Sequence, residues 1–160
     1  EWIMLIGLGI AFVAAVLDQL SKFFVLNYVL ETYPYIKITP FFNIVNAWNT
    51  GVSFSMFSSG GLIGKILLSS AALVIVALLL WWLSKEKKKI LQIALGLIIG
   101  GALGNVIDRI RLGAVFDFLD FYVSDYHWPA FNIADSAICI GAVIFLIDSL
   151  FLSKKGEDKK

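Results

Sequence analysis

Long apolar runs alternate along the chain with shorter stretches that mix polar, aromatic and turn-forming residues. Four runs stand out, at residues 3–26, 63–83, 90–107 and 133–152. A hydrocarbon core about 30 Å thick takes roughly 20 apolar residues in helical form, so the pattern predicts four transmembrane helices. The first run is too long for a cleaved signal peptide and lacks a small-residue cleavage site, so we expect the mature protein to retain it.

The composition favours a membrane protein and excludes several chemistries. Apolar residues make up 59% of the chain and charged residues 16%, below the roughly 25% charged residues of a soluble domain. No repeat or linker divides the 160 residues, so we expect a single integral membrane domain. The lone Cys139 and the lone His127 exclude an intramolecular disulfide and a His/Cys metal cluster. No metal, cofactor or nucleic-acid partner is expected.

The distribution of lysines predicts the orientation of the helices. Two clusters lie between the second and third runs and after the fourth: Lys85, Lys87, Lys88, Lys89, Lys154, Lys155, Lys159 and Lys160. Positive charge marks the cytoplasmic side, so both termini are expected in the cytoplasm and the segments 27–62 and 108–132 outside. Both outer segments are rich in tyrosine and tryptophan, which are typical of a membrane interface.

The first outer segment has the composition of short strands. Residues 35–46 and 52–57 contain β-branched residues in partial alternation, with proline and glycine at the breaks. The alternative is an irregular interfacial loop. We therefore predict an all-α membrane protein of four transmembrane helices, with a small extracytoplasmic β-rich segment between helices one and two.

Few charged residues lie inside the predicted helices, where each costs about 2.5–3.5 kcal/mol and needs a partner or a purpose. Asp18 and Lys22 are four residues apart, so they share a helix face and can neutralise each other. This pair is either a structural ion pair near the outer end of the helix or the support of an active site.

Two aspartates near the outer ends of the third and fourth helices are candidates for chemistry. Asp117 has apolar neighbours, a setting that raises the pKa of a carboxyl group. Asp135 follows Asn132, which has the type and spacing of a helix N-cap, and the helix dipole favours an acid there even without catalysis. Both lie at the same predicted depth, so they can meet. Capping and anchoring the third helix is the alternative for the nearby Asp108 and Arg109, and for Arg109 alone it is the favoured interpretation.

Two neighbouring carboxyl groups that share one proton supply both a base to activate water and an acid to protonate a departing amine, so the pair predicts peptide hydrolysis. A Ser-Lys site needs an unprotonated lysine, whereas Asp18 beside Lys22 favours the charged form. A Ser-His-Asp site would depend on His127 in an aromatic loop. A carrier or proton pathway is the alternative for intramembrane acids, although most ionisable groups here cluster toward one face of the membrane.

Five motifs match a known family. The chain resembles the lipoprotein signal peptidases, the bacterial signal peptidase II family of aspartic membrane proteases, over nearly its whole length. The most specific motifs are Gly100-Gly101-Ala102-Leu103-Gly104-Asn105-Val106-Ile107-Asp108-Arg109, Val115-Phe116-Asp117-Phe118 and Phe131-Asn132-Ile133-Ala134-Asp135-Ser136. The supporting motifs are Asp18-Gln19-Leu20-Ser21-Lys22 and Asn49-Thr50-Gly51-Val52-Ser53-Phe54.

The resemblance implies that Asp117 and Asp135 are the catalytic dyad. It further implies these substrate-binding or supporting residues: Asp18, Lys22, Asn49, Gly51, Gly104, Asn105, Asp108, Arg109, Asn132 and Ala134. The implied substrate is a prolipoprotein with a diacylglyceryl-modified cysteine, cut just before that cysteine in the bacterial cytoplasmic (inner) membrane, with the active site toward the outer face. Globomycin-type cyclic peptides are the implied inhibitors, membrane lipid is the implied surroundings, and we expect a monomer.

Two places depart from the family pattern. Trp48 stands where a basic or polar residue is expected, and Val52-Ser53 replace the commoner Ala-Ala, so both are expected to alter contacts at the rim of the site. Asp148, on the cytoplasmic side of the fourth helix, belongs to no family motif. We expect it to pair with another group or to extend toward the interface.

Overall fold

The computed structural model describes residues 3–51 and 61–152. It contains the long helices α1 (Ile3–Phe24), α2 (Gly61–Leu83), α3 (Lys89–Leu112) and α4 (Ile133–Ile147), with α1 and α4 continuing as the π-helical turns Val25–Val29 and Asp148–Leu152. Within the described ranges, four helices are long and apolar enough to cross a membrane. This part of the predicted fold is confirmed.

Helix α3 is the central helix and contacts the other three. In its most apolar stretch 61% of the residues are buried, against 22% or less in α1, α2 and α4. Glycine makes this central position possible. A Cβ atom on Gly96 would collide with the carbonyl oxygen of Gly7 in α1, and one on Gly101 with that of Ala134 in α4. Small residues therefore let the backbones of three helices meet.

A four-stranded antiparallel sheet completes the fold. Its strands, in spatial order, are β1 (Tyr35–Thr39), β2 (Phe42–Asn49), β3 (Val115–Val123) and β4 (Tyr126–His127). The pairing of β2 with β3 is irregular between Ile44 and Ala47, just where Ala47 lies opposite Asp117. Irregularities of this kind re-aim side chains and are common beside active sites.

The sheet is not confined to the segment between helices one and two, as the sequence analysis had it. That segment contributes β1 and β2, whereas β3 and β4 come from the connection between α3 and α4. The first half of β3 carries no polar-apolar alternation because both of its faces are covered: Phe116 and Phe118 pack with Val25 and Leu30 at the end of α1. The strand predicted at residues 52–57 lies outside the described residues.

The candidate site residues gather at one end of the bundle. The end of α1, the end of α3, the start of α4 and the sheet all meet there, and the start of α2 joins them because the Lys65 ammonium donates to the carbonyl of Ile110 (3.2 Å). Helix α3 continues to Leu112 and ends at Gly113, whose φ of 87° suits a glycine cap. The turn that carries Lys85, Lys87 and Lys88 lies at the opposite end.

Candidate active site

Asp117 projects from β3 into the interior, where its side chain is enclosed by amides. Only 3% of the residue is exposed. The amide nitrogen of Asn132 donates to Asp117 Oδ1 at 2.8 Å, and the Asn49 side chain contributes a second hydrogen bond. Two amides therefore hold one carboxyl group in place.

Asp135 lies in the first turn of α4 and forms a capping box with Asn132. The side chain of Asn132 accepts from the Asp135 backbone N–H at 2.9 Å, and Asp135 Oδ2 accepts from the Asn132 backbone N–H at 3.3 Å. The N-cap interpretation of the sequence is confirmed. Because Asn132 contacts both Asp117 and Asp135, the two carboxyl groups lie beside each other across a single residue.

Burial and the neighbouring carboxylate change the acidity of Asp117. Removal from water raises its pKa from 3.8 to about 6, with the negative charge of Asp135 as the second cause. The hydrogen bond from Asn49, the charge of Lys22 and the hydrogen bond from Asn132 act in the opposite direction. Asp117 therefore keeps its proton well above the pH at which an exposed aspartate loses it.

A buried ion cluster lies next to the aspartates. The Lys22 ammonium is 2.8 Å from Asp18 Oδ2 and 2.7 Å from Asp108 Oδ2, and all three side chains are at most 3% exposed. Both carboxylates also accept backbone hydrogen bonds: Asp18 Oδ1 from Ala134 N (2.9 Å), and Asp108 Oδ2, which also contacts Lys22, from Phe116 N (3.1 Å). The cluster thus joins α1 and α3 to the start of α4 and to β3.

Asn105 connects this ion cluster to the two aspartates. Its side-chain oxygen accepts from the Lys22 ammonium (3.3 Å) and from Asn132 Nδ2 (3.1 Å), and its Nδ2 donates to Asp135 Oδ1 (2.8 Å). An ammonium group can only donate, so Lys22 fixes the amide with its oxygen inward and its NH₂ group toward Asp135. The Lys22 ammonium thus fixes the direction of the hydrogen bond that Asn105 donates to Asp135.

Gly104 is required by its size. A Cβ atom there would lie 2.5 Å from Asp18 Oδ2 and 3.4 Å from the Cβ of Ala134, which is itself fully buried. A larger residue would therefore push Asp18 away from Lys22 and from the Ala134 backbone. Of the residues predicted from the sequence, the structure brings together Asp18, Lys22, Asn49, Gly104, Asn105, Asp108, Asp117, Asn132, Ala134 and Asp135.

Comparison with known proteins identifies the family of the chain. The family model described as signal peptidase (SPase) II matches residues 10–151, most of the 160-residue chain. The chain belongs to the signal peptidase II family.

Curated relatives cover most of the chain as well. It is 47% identical over 155 residues to the lipoprotein signal peptidase of Aeromonas hydrophila subsp. hydrophila, covering 94% of this chain and 91% of that protein. It is 46% identical over 155 residues to that of Alteromonas mediterranea, covering 96% and 82%. These relatives support the resemblance found in the motifs.

Two solved structures share the fold. Both are described as bacterial membrane enzyme structures obtained by the in meso method, at 2.3 and 1.9 Å resolution, and both give a TM-score of 0.76. The first is 29% identical and covers 96% of this chain and 91% of its own; the second is 30% identical and covers 91% and 92%. The chain is thus a bacterial-type multi-pass membrane protein of the signal peptidase II family.

In this member of the signal peptidase II family, Gly51 and Arg109 lie at the rim of the candidate site rather than in the ion cluster. Gly51 has a φ of 76° and donates its N–H to Asn49 Oδ1 (2.8 Å), the side chain that reaches Asp117. A Cβ atom on Gly51 would collide with Leu68 and lie 3.7 Å from an Arg109 guanidinium nitrogen. Arg109 Nε is buried and has no hydrogen-bond partner within residues 3–51 and 61–152. Val52 and Ser53 lie outside those ranges.

Gln19 belongs to the site, although the sequence analysis did not select it. Its amide donates to Asp108 Oδ1 (2.8 Å), Asp18 Oδ2 (3.1 Å) and the carbonyl of Gly104 (3.1 Å). The signal was an uncharged polar residue in an apolar run, adjacent to Asp18 in a family motif. Trp48, the departure from the family pattern, packs its ring against Phe116 at 5.2 Å between centroids.

Two further acids, Asp120 and Asp148, form contacts outside the candidate site. Asp120 Oδ1 lies 2.8 Å from His127 Nδ1, and its Oδ2 accepts from Asn43 Nδ2 at 2.9 Å, so this pair links β2, β3 and β4. Asp148 pairs with Lys88 at 3.0 Å near the opposite end of the bundle.

Proposed function

We propose that this protein is an aspartic endopeptidase that removes signal peptides from diacylglyceryl-modified prolipoproteins, cutting just before the lipidated cysteine. The observation that carries the proposal is the contact of Asn132 with both Asp117 and Asp135. Membership of the signal peptidase II family supports the substrate class. A diacylated substrate lies in the outer leaflet, which suits a site at the ends of the helices.

The two aspartates take different parts in this proposal. Both oxygens of Asp135 accept hydrogen bonds, from Asn105 Nδ2 and from the Asn132 backbone, and the positive end of the α4 dipole lies behind them. Asp135 is therefore the carboxylate base. Asp117, whose pKa burial raises to about 6, carries the proton and is the acid.

The reaction then proceeds in two steps. Asp135 takes a proton from water as the water oxygen attacks the scissile carbonyl carbon, while Asp117 gives its proton to the carbonyl oxygen. The tetrahedral intermediate collapses when Asp135 protonates the leaving nitrogen and Asp117 recovers a proton from one hydroxyl. The carbon–nitrogen bond breaks, and the dyad returns to its initial state.

The supporting residues hold this geometry. Asn105 and Asn132 orient the carboxyl groups, and Asp18, Lys22 and Asp108 orient Asn105 and the start of α4. At the rim, Asn49 contacts Asp117, and we propose that Gly51 and Arg109 contact the substrate.

The site faces the outside of the cell in this proposal. The lysine-bearing turn between α2 and α3 lies at the end opposite the aspartates, which by the positive-inside rule puts that turn and both termini in the cytoplasm. The protein then acts as one membrane domain, as a monomer, in the bacterial cytoplasmic membrane.

A cleavage assay with purified protein tests the proposal. A synthetic diacylglyceryl prolipoprotein should be cut before the modified cysteine, as located by mass spectrometry, and globomycin should compete. Asp117→Asn and Asp135→Asn should each lose activity by at least about 10³-fold while remaining folded. Asp125→Asn, which changes an exposed acid in the β3–β4 turn, is the matched control. Normal turnover by either dyad variant would refute the proposal.

A further inference from the structure

An apolar cavity of about 530 Å³ opens beside Asp135. The loop before α4 forms one wall with Trp128 and Phe131, and α4 forms the other with Ser136, Cys139 and Ile140. The Ser136 hydroxyl donates to the carbonyl of Asn132 at 3.0 Å, so it does not make the wall polar. The cavity, here called the α4 cavity, thus places an apolar volume directly against a proposed catalytic carboxylate.

The α4 cavity continues into an exposed apolar face of α4. Ile140, Val143 and Ile147 follow one another at helical spacing, and each is 51–53% exposed in the four-helix bundle. A chain that enters the cavity can therefore run down this face toward the middle of the membrane. Cys139, also exposed, lies where the cavity meets that face.

We propose that the α4 cavity receives one acyl chain of the diacylglyceryl group carried by the substrate cysteine. The inference rests on the proposed function, because in that reaction the lipidated cysteine directly follows the scissile bond. Its acyl chains must then begin within a few bonds of the dyad. The α4 cavity offers an apolar path that starts at Asp135 and leads into the lipid.

The cavity acts by positioning the substrate rather than by adding affinity. Lipid tails are as apolar as the cavity wall, so a chain that moves from the bilayer into the cavity gains little hydrophobic free energy. A chain held there restricts the modified cysteine relative to Asp135, and small errors in such placement cost up to about 100-fold in rate. Blocking the cavity should therefore lower kcat more than it raises KM.

Cys139 provides a direct test, because it is the chain's single cysteine. The protein is labelled with methyl or dodecyl methanethiosulfonate, the stoichiometry is measured by mass spectrometry, and cleavage of a dipalmitoyl substrate is compared with that of the same protein unlabelled. The dodecyl label should lower kcat at least about tenfold and the methyl label far less. The matched control is Cys139→Ala with Val74→Cys, in which the same label sits on the exposed face of α2, outside the cavity lining, and should leave kcat unchanged.

Substrate chain length distinguishes the acyl chain from other occupants. With a dihexanoyl substrate, whose chains end within the cavity mouth, the penalty of the dodecyl label should shrink. An equal penalty on both substrates would show that another part of the substrate, such as the signal peptide, occupies the cavity, and would overturn the proposal. No penalty on either substrate would overturn it as well.

A pair of tryptophan variants tests the proposal without labelling Cys139. Ile140→Trp fills the cavity, and Val74→Trp places the same bulk on the exposed face of α2, so only Ile140→Trp should lower kcat in a chain-length-dependent way. Equal effects would overturn the proposal. Failure of the unlabelled wild-type protein to cut any diacylated substrate would instead refute the proposed function, so the two failures are distinguishable.

Discussion

Each end of the helix bundle holds a buried aspartate paired with a lysine, but the surroundings of the two pairs differ. At the active-site end Lys22 contacts Asp18 and Asp108, and its side chain is 3% exposed. At the opposite end Lys88 contacts Asp148, and its side chain is 52% exposed. Water can replace a half-exposed ammonium group but cannot reach an enclosed one. The first lysine is therefore expected to be essential to the fold and the second to be nearly dispensable.

The largest effect is expected from Lys22→Met. Among the described residues, Lys22 is the cation that contacts both Asp18 and Asp108. Its removal leaves two enclosed carboxylates without that partner and should lower the free energy of unfolding by about 3–5 kcal/mol. Reversible unfolding in mixed micelles measures this loss. A change below about 1 kcal/mol would show that the enclosed and exposed pairs do not differ in the way described.

Asp117→Asn is expected to raise the free energy of unfolding by an amount that depends on pH. Burial raises the pKa of Asp117 from 3.8 to about 6, so ionising it destabilises the fold. The penalty is absent below pH 3.8, grows between pH 3.8 and 6, and above that reaches up to about 3 kcal/mol. The uncharged variant should thus be more stable than wild type at pH 7.5 and similar at pH 3.5. Equal gains in stability at both pH values would contradict the raised pKa of Asp117.

A smaller loss of stability is expected from Gln19→Leu. The change removes the hydrogen bonds that the Gln19 amide donates to Asp18, Asp108 and the carbonyl of Gly104, at the end of the bundle that holds the enclosed Lys22. Their loss should lower the free energy of unfolding by about 1–2 kcal/mol. Ser21→Ala is the control, since the Ser21 hydroxyl donates to the carbonyl of Asp18 in its own helix. If both variants unfold alike, Gln19 has no special part in the cluster.

The smallest effect is expected from Lys88→Met. Its ammonium group is half exposed, so its loss should change the free energy of unfolding by less than about 1 kcal/mol. The same unfolding measurement used for Lys22→Met provides the comparison. A loss as large as that of Lys22→Met would mean that Asp148 depends on Lys88 as strongly as Asp18 depends on Lys22.

Local features of this molecule could be predicted from the sequence, and features that depend on distant partners could not. The apolar runs predict the four helices because helix length follows the thickness of the bilayer. The Asn132–Asp135 capping box joins residues three positions apart and is visible in the sequence. By contrast, Lys22 meets Asp108 across 86 positions, and no periodicity indicates that contact.

The strand β3 shows the same limit in the fold. Phe116 and Phe118 are apolar on a face that the end of α1 covers, and Leu119 packs into the same cluster. The sequence therefore lacks the alternation typical of a half-exposed strand. That Asp117 lies on a strand, opposite Ala47 of the first outer segment, could be found only from the folded chain.

The central claim is that the proton of the aspartate pair is held on Asp117 up to about pH 6. Infrared spectroscopy of the protonated carboxyl stretch, taken as the difference between wild type and Asp117→Asn over pH 4–8, measures this directly. The band should titrate near pH 6 and should move to lower pH in Asp135→Asn, because the Asp135 charge helps to raise the pKa of Asp117. A titration that Asp135→Asn leaves unchanged, or no band at all near pH 5, would contradict the claim.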